Sequence, residues 1–346
     1  MKTVQDFDFF NKRVLVRCDF NVPLDERGDI LDDFKIKKTL PTIKYLIEKG
    51  AKIILMSHLD DPGGKIVGRL KLDKVRQKLI EYLGISINKA TDCIGKEVEG
   101  QVNQMDNGEV LLLENLRFHK EEKENDDNFA QNLAKLGDIY INDAFAESHR
   151  VYASIVGVPE YLPKGAGLLL GKEVKIFNKI IKNPQKPLVA IIGGAKVETK
   201  AKLIDKISEV ADSVLIGGLI KKEIKEKNIQ LKCPQKIVEP VDEIKGKDIG
   251  PETIELFKEK ISLAKTLFWN GPLGLIEEEQ FSKGSKDIAQ AIIEAGAFSV
   301  IGGGDTIGFI NRLGLIEKFS YVSTGGGAML AFLSGEELPG LKALEQ

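Results

Sequence analysis

Short β-branched and aliphatic runs recur along the chain, each stopping at polar residues or glycine: RVLVRCDF, AKIILMSHL, EVLLLENL, DIYINDAF, PLVAIIGG, SVLIGG, TLFWNGP and FSVIGGG. Alternation between apolar and polar positions is weak in all of them, so both faces must be covered, as in the buried strands of a parallel sheet. Helical stretches lie between them. In PTIKYLIEKG, Pro41 suits a first helical turn and Gly50 the residue just past the last one. Strand and helix alternate throughout, which predicts a doubly wound α/β fold.

The strand ends divide the chain in two. The first four run into DFN, SHL, ENLRF and NDAF, whereas the last four run into glycine. Ligands of open parallel sheets gather at the carboxyl ends of the strands, so one half offers side chains and the other backbone amides. A chain of 346 residues also exceeds the size at which one core keeps growing. The stretch from Tyr161 to Pro187 reads as a long helix between proline-bearing turns and is the natural connector. The expected division is residues 1–170, residues 171–330 and a tail, residues 331–346.

Composition narrows the classes of function. Apolar residues make up 42% and charged residues 29%, with 50 basic and 52 acidic side chains, so no global field points to nucleic acid or an anionic membrane. Cys18, Cys93 and Cys233 form no CxxC pair, which argues against a zinc site or disulfide framework and for a reducing compartment. The start has no signal-peptide core and no run reaches membrane-spanning length, so a cytoplasmic location is expected.

The glycine-ended half carries the signature of a polyphosphate seat. Gly193 and Gly194 end a strand and precede Ala195, Lys196 and Lys200; the two lysines are four apart on the predicted helix and share a face. A plain turn with solvated lysines is the alternative, and the Walker A spacing is absent. Gly217 and Gly218 end the next run. Gly302, Gly303 and Gly304 lead to Asp305 and Thr306, and Gly325, Gly326 and Gly327 follow Ser323 and Thr324. Three successive glycines cost chain entropy that a plain turn does not justify, whereas amides lining an anion do. Asp305 is placed either to hold the Mg²⁺ that accompanies a nucleotide or to cap a helix. FWNGPLGLIEEE supplies Asn270 at the mouth of a turn, Gly274, and Glu277, a carboxylate suited either to ribose hydroxyls or to the solvent. In the other half, Arg117 and Arg150 can clamp a small anion, with His58 and Asn21 orienting it and Asp19 accepting from a hydroxyl, although an isolated arginine is more often a surface ion-pair member. His119 and His149 read as structural.

At this point the chain resembles the phosphoglycerate kinase family along nearly its whole length, through VRCDFNVPL, LLLENLRFHKEE, NDAFAESHRVYAS, IIGGAKVETK, WNGPLG, IGGGDT and STGGGAMLAFLSGEELPG. The resemblance implies reversible phosphoryl transfer between 1,3-bisphosphoglycerate and ADP, with Mg²⁺, by a monomer whose two domains close about a hinge. It assigns Asp19, Asn21, Lys35, His58, Arg117 and Arg150 to the phosphoglycerate. It assigns Gly193, Gly194, Ala195, Lys200, Gly217, Gly218, Asn270, Gly274, Glu277, Gly302 to Gly304, Asp305 and Thr306 to the nucleotide and its metal. Lys196, Lys35 and the amides of Gly325 to Gly327 would follow the phosphoryl group in transit.

Three departures stand out. Lys35 replaces a customary arginine, keeping the charge but losing the bidentate fork. Asp61 replaces a second arginine and reverses a charge, which Lys65 or Arg69 would have to offset. Between Leu219 and Lys247 the chain is much shorter than the family pattern, so the adenine wall is expected to be incomplete. These departures leave open a second reading, a catalytically weakened homologue with a binding or regulatory role.

Overall fold

The aliphatic runs become parallel strands buried on both faces in the computed structural model, which describes residues 1–194 and 197–345. The first sheet contains β1 (Arg13–Arg17), β2 (Lys52–Met56), β3 (Asn88–Lys89), β4 (Val110–Leu112), β5 (Ile139–Asn142) and β6 (Lys164–Ala166), in the order β3-β4-β2-β1-β5-β6. The second contains β7 (Leu188–Ile192), β8 (Ser213–Ile216), β9 (Ile237–Val238), β12 (Thr266–Asn270), β13 (Phe298–Gly302) and β14 (Tyr321–Val322), in the order β14-β13-β12-β7-β8-β9. Between them in sequence, β10 (Glu243–Ile244) and β11 (Asp248–Ile249) form a small antiparallel ribbon. All pairings within the two large sheets are parallel.

Both sheets reverse direction at their first strand. From β1 the chain winds outward through β2, then returns to the other side as β5; from β7 it winds through β8 and returns as β12. Such reversals open a crevice at the carboxyl ends of the strands. They set the polar residues after β1, β2, β4 and β5 on one edge of the first sheet, and the glycines after β7, β8, β12 and β13 on one edge of the second.

The chain forms two units, one of Met1–Val174 with Glu337–Gln346 and the other of Lys175–Glu336. The helix Leu168–Lys182 runs across the boundary in sequence. Asp143, just past β5, accepts from the amides of Leu169 (2.9 Å) and Leu170 (3.3 Å) in its first turn. In the second half of the first unit's sequence, Gly340 lies so close to Ile155 and Ser148 that a Cβ there would meet Cγ2 of Ile155 at 2.7 Å.

One helix differs from expectation. PTIKYLIEKG is the later part of a helix that starts at Phe34 and runs to Glu48, so Pro41 lies inside it. The preceding FKIKKTL continues the apolar face through the buried Ile36 and Thr39, and burial outweighs the single backbone bond that proline removes. Gly50 follows the end with φ 68°, a left-handed conformation that favours glycine. Among the described residues no helix is long and apolar enough to cross a membrane.

Burial shifts Asp143 strongly. Desolvation outweighs the bonds from Thr42 and the two amides and pushes its carboxyl up to about 7. A raised folded-state pKa means that the stabilising contribution is complete below the ordinary carboxylate range and is lost as pH rises through about 7. Asp143→Asn removes this loss. The variant is therefore expected to gain stability relative to the parent between pH 5 and pH 8; denaturant unfolding of both proteins at the two values checks it, and a difference independent of pH would contradict it.

Candidate active site

In the first unit, β1 delivers Asp19, β2 delivers His58, the turn after β4 delivers Arg117, and the turn after β5 delivers Glu147. Asp19 is buried and accepts from Lys35 Nζ (2.7 Å) through one oxygen and from the Asn21 amide (3.0 Å) through the other. Asn21 in turn holds the Asp60 amide at 2.9 Å. Arg117 donates to Glu147 Oε2 (2.9 Å) and to the Asp60 carbonyl (3.0 Å), and its guanidinium lies over the Tyr152 ring.

His58 is fully buried. Its Nδ1 lies 3.1 Å from Nη2 of Arg17, and since an arginine only donates, Nδ1 must accept and Nε2 carries the proton. Arg17 is itself fixed by Ser154 Oγ (2.7 Å) and the Cys18 carbonyl, while Ser154 donates to the buried Glu122 (2.5 Å). Burial, then the charges of Arg17, Arg117 and Lys35, hold the imidazole pKa well below its usual value. The ring is thus a neutral donor. Its Nε2–H and the Nε of Arg117 are both buried with no hydrogen-bond partner among the described residues, and an unmet donor costs free energy until a ligand meets it.

Arg150 is exposed, and among the described residues its amide donates to the Glu147 carbonyl. Asp61 does not lie unopposed: Lys123 Nζ holds its carboxylate at 2.7 Å and lowers its pKa. Arg69 pairs with Asp60 at 3.8 Å and lines, with Asn21, a recess of about 300 Å³. The reversed charge at position 61 is therefore answered by Lys123 rather than by Lys65 or Arg69.

In the second unit, glycines permit turns that stack at the strand ends. Gly271 after β12 has φ 88°, and a Cβ on it would strike the Gly193 carbonyl and the Lys200 ammonium. Gly193 and Gly194 donate to the carbonyls of Asn270 (2.9 Å) and Pro272 (2.7 Å), locking the turns after β7 and β12 together. Gly303, with φ 97°, precedes the helix Gly304–Arg312, and Gly325 precedes the helix Gly326–Leu333. Neither helix start has a side-chain cap among the described residues, and such starts are suited to anions.

A cavity of about 260 Å³ brings Gly194, Lys200, Asn270, Gly303, Gly304, Asp305, Thr306 and Gly326 together. Lys200 is buried there and bonds the Gly193 carbonyl. Asn270 Nδ2 is committed to the Gly302 carbonyl (3.1 Å), and Thr306 Oγ1 accepts from the Gly271 amide (2.9 Å), so both brace the turns. Gly302 is tight for a different reason, since a Cβ there would strike Met329. A second recess, of only about 30 Å³, has Gly194, Gly217, Gly218 and Gly274 on its wall with Leu219, Glu243 and Lys247. Glu277 is exposed and lines neither space. Ala195 and Lys196 lie outside the described residues; Gly325 is buried and Gly327 exposed, and neither lines the cavity.

Sequence reasoning missed Arg17, Glu122, Ser154 and Glu147. A charge ending the apolar strand RVLVR was the available signal for Arg17. The shortened region takes a simple course: the helix Gly218–Glu226 leads through a turn at Pro234–Lys236 into the edge strand β9. The recess beside Gly217 and Gly218 is small, at about 30 Å³.

The family model for phosphoglycerate kinase matches residues 4–240 and 219–336. The phosphoglycerate kinase of Dictyoglomus turgidum is 45% identical over 389 residues, covering 99% of this chain and 98% of that protein, and the one from Pelotomaculum thermopropionicum is 42% identical with the same coverage. An alignment of 389 residues on a chain of 346 requires gaps in this chain, and the two matched segments of the family model meet again at 219–240, where β8 passes so directly to β9. The phosphoglycerate kinase structure from Pyrococcus horikoshii OT3 superposes with a TM-score of 0.87 at 32% identity, covering all of this chain and 98% of the other. Sequence and fold agree: this chain belongs to the phosphoglycerate kinase family.

Proposed function

We propose that the chain transfers a phosphoryl group between 1,3-bisphosphoglycerate and ADP, with the phosphoglycerate on the first unit and the nucleotide on the second. The observation that carries this reading is the pair of buried, unmet donors, His58 Nε2 and Arg117 Nε, at the strand ends of a unit whose companion offers a glycine-walled seat with a buried lysine.

The chemistry asks little of the protein beyond position and charge. An oxygen of the terminal phosphate of ADP attacks the phosphorus of the acyl phosphate, the phosphorus–oxygen bond to the acyl group breaks, and the electron pair leaves on the carboxylate. No proton has to move and no protein nucleophile is needed. Lys200 and the amides at the starts of the two helices offset charge on the nucleotide phosphates, and Lys196, by its place in GGAK, is assigned to the migrating group. Lys35, Arg117 and His58 hold the acid. The transfer needs donor and acceptor in line and water excluded from the reacting atoms.

Asp305 is the residue that would hold Mg²⁺. The fit is chemical: an exposed carboxylate in the first turn of Gly304–Arg312, on a cavity otherwise walled by amides and a lysine, suits a hard cation that takes one protein carboxylate and shares its other ligands with phosphates. When bound, the ion neutralises phosphate charge. Asp305→Asn is expected to shift the magnesium titration of the reaction to roughly tenfold higher concentration, since one charged ligand becomes neutral. An unchanged titration would remove Asp305 from this role.

The chain acts on small molecules, in a monomer located in the cytoplasm. A coupled assay of ATP formation from 1,3-bisphosphoglycerate and ADP tests the whole reading. No magnesium-dependent transfer above background would return the chain to a binding or regulatory role.

A further inference from the structure

The anion seat of the first unit already contains an anion. Glu147 ends the short helical turn Phe145–Glu147 after β5, with its side chain only 12% exposed. Its Oε2 accepts from Arg117 Nη2 at 2.9 Å, and its Oε1 lies 3.7 Å from His58 Nε2, the nitrogen that carries the ring proton. The second contact is too long for a hydrogen bond, so His58 remains an unmet donor with a carboxylate in front of it. Two of the groups proposed to hold the phosphoglycerate thus converge on one side chain of the protein, whose planar pair of oxygens matches one edge of a carboxylate or phosphate.

We propose that Glu147 is an internal stand-in for the substrate anion, which must leave Arg117 and His58 before a phosphorylated acid can bind, and which therefore sets the affinity of this chain for its acid substrate. The inference rests on the placement of the phosphoglycerate in the first unit. Glu147 and the substrate cannot share the seat, because two carboxylates on one arginine edge repel each other and the buried setting weakens solvent screening. A seat filled by its own carboxylate in nine molecules of ten lowers the apparent affinity about tenfold, since only the open fraction binds. The neighbouring cations follow the same pattern: Lys35 is matched by Asp19, Arg69 by Asp60 and Lys123 by Asp61. Glu147 differs from these carboxylates in facing two proposed substrate donors at once.

The opposite role would be support, with Glu147 holding Arg117 in the posture the substrate needs. The two roles predict opposite signs. Under the stand-in role, Glu147→Gln and Glu147→Ala both bind 3-phosphoglycerate about tenfold more tightly in calorimetric titration of the full chain. Their KM for 3-phosphoglycerate falls by a similar factor, while the KM for nucleotide stays put. Weaker or unchanged binding in Glu147→Gln, with a melting temperature near that of the parent, overturns the proposal and leaves Glu147 as a support for Arg117. Glutamine keeps the volume of the side chain, so this variant decides the matter even if the alanine variant folds poorly. An inactive parent protein would instead count against the transfer reaction, and the calorimetric comparison of parent and variant would still read the role of the carboxylate.

Discussion

Arg117→Met is expected to raise the KM for 3-phosphoglycerate by about two orders of magnitude while leaving the KM for nucleotide within about twofold, because losing one partner of a buried, charge-assisted contact costs roughly 2–5 kcal/mol and each ~1.4 kcal/mol is a decade. Arg117 is placed by the Asp60 carbonyl and the face of Tyr152, while Glu147 occupies its Nη2. Its Nε, buried and unmet, is the donor left over for a ligand. Methionine fills much of the same volume and cannot donate, so the change isolates the guanidinium. It also leaves Glu147 without its cation, so a moderate loss of thermal stability accompanies the kinetic effect. Steady-state kinetics with each substrate varied in turn makes the comparison. A KM for phosphoglycerate that barely moves, or one that moves together with that for nucleotide, would take Arg117 out of the acid site.

The second large effect belongs to Gly271. Its φ of 88° is a conformation that a residue with a Cβ adopts at a cost of about 1–2 kcal/mol. Space is the greater obstacle, because the added carbon would meet the Gly193 carbonyl and the Lys200 ammonium. Neither obstacle is the loose end of a surface side chain. The carbonyl belongs to a turn pinned by amides donating to Asn270 and Pro272, and the lysine is buried. Gly271→Ala should therefore force the turns after β7 and β12 apart, lower stability by about 3 kcal/mol or more, and weaken nucleotide binding at least tenfold. Denaturant unfolding and nucleotide titration of the purified variant read both effects. A variant with parental stability and affinity would mean that the two turns need not touch for the seat to form.

How far the sequence carried this picture depended on how local each signal was. Eight strands were legible because each is a run of aliphatic residues ended by a polar group or glycine, and both sheets contain them as read. The strands β3, β9 and β14, two residues each, leave no period to detect; they exist because a neighbouring strand offers an edge to pair with. The glycine seat was legible for a similar reason, since a residue without a side chain states its own backbone role. The polar cluster at the strand ends of the first sheet was harder. Asp19, Asn21, His58 and Arg117 stood out as polar groups at strand ends, but the Arg17 guanidinium that fixes the His58 tautomer belongs to the last residue of a strand itself, and its partners Ser154 and Glu122 are 137 and 32 positions away from Arg17 and Ser154 respectively. No local pattern announces such a contact. Lys123 is likewise 62 positions from Asp61, and that distance is why a reversed charge could be noticed in the sequence while the cation that answers it could not.

The two units are nested in sequence. Lys175–Glu336 is one uninterrupted segment, whereas the other unit is assembled from Met1–Val174 and Glu337–Gln346. The late segment is packed closely: Gly340 donates to the Ser148 carbonyl at 2.8 Å and has no room for a Cβ beside Ser148 and Ile155. On a ribosome, where domains generally fold as units as they emerge, this arrangement separates birth order from completion order. The segment synthesised first must wait for the one synthesised last, and the middle unit has all of its own residues before its elder is finished. A nascent chain stalled before Glu337 leaves the tunnel should accordingly protect Lys175–Glu336 from protease while Met1–Val174 is still being cut.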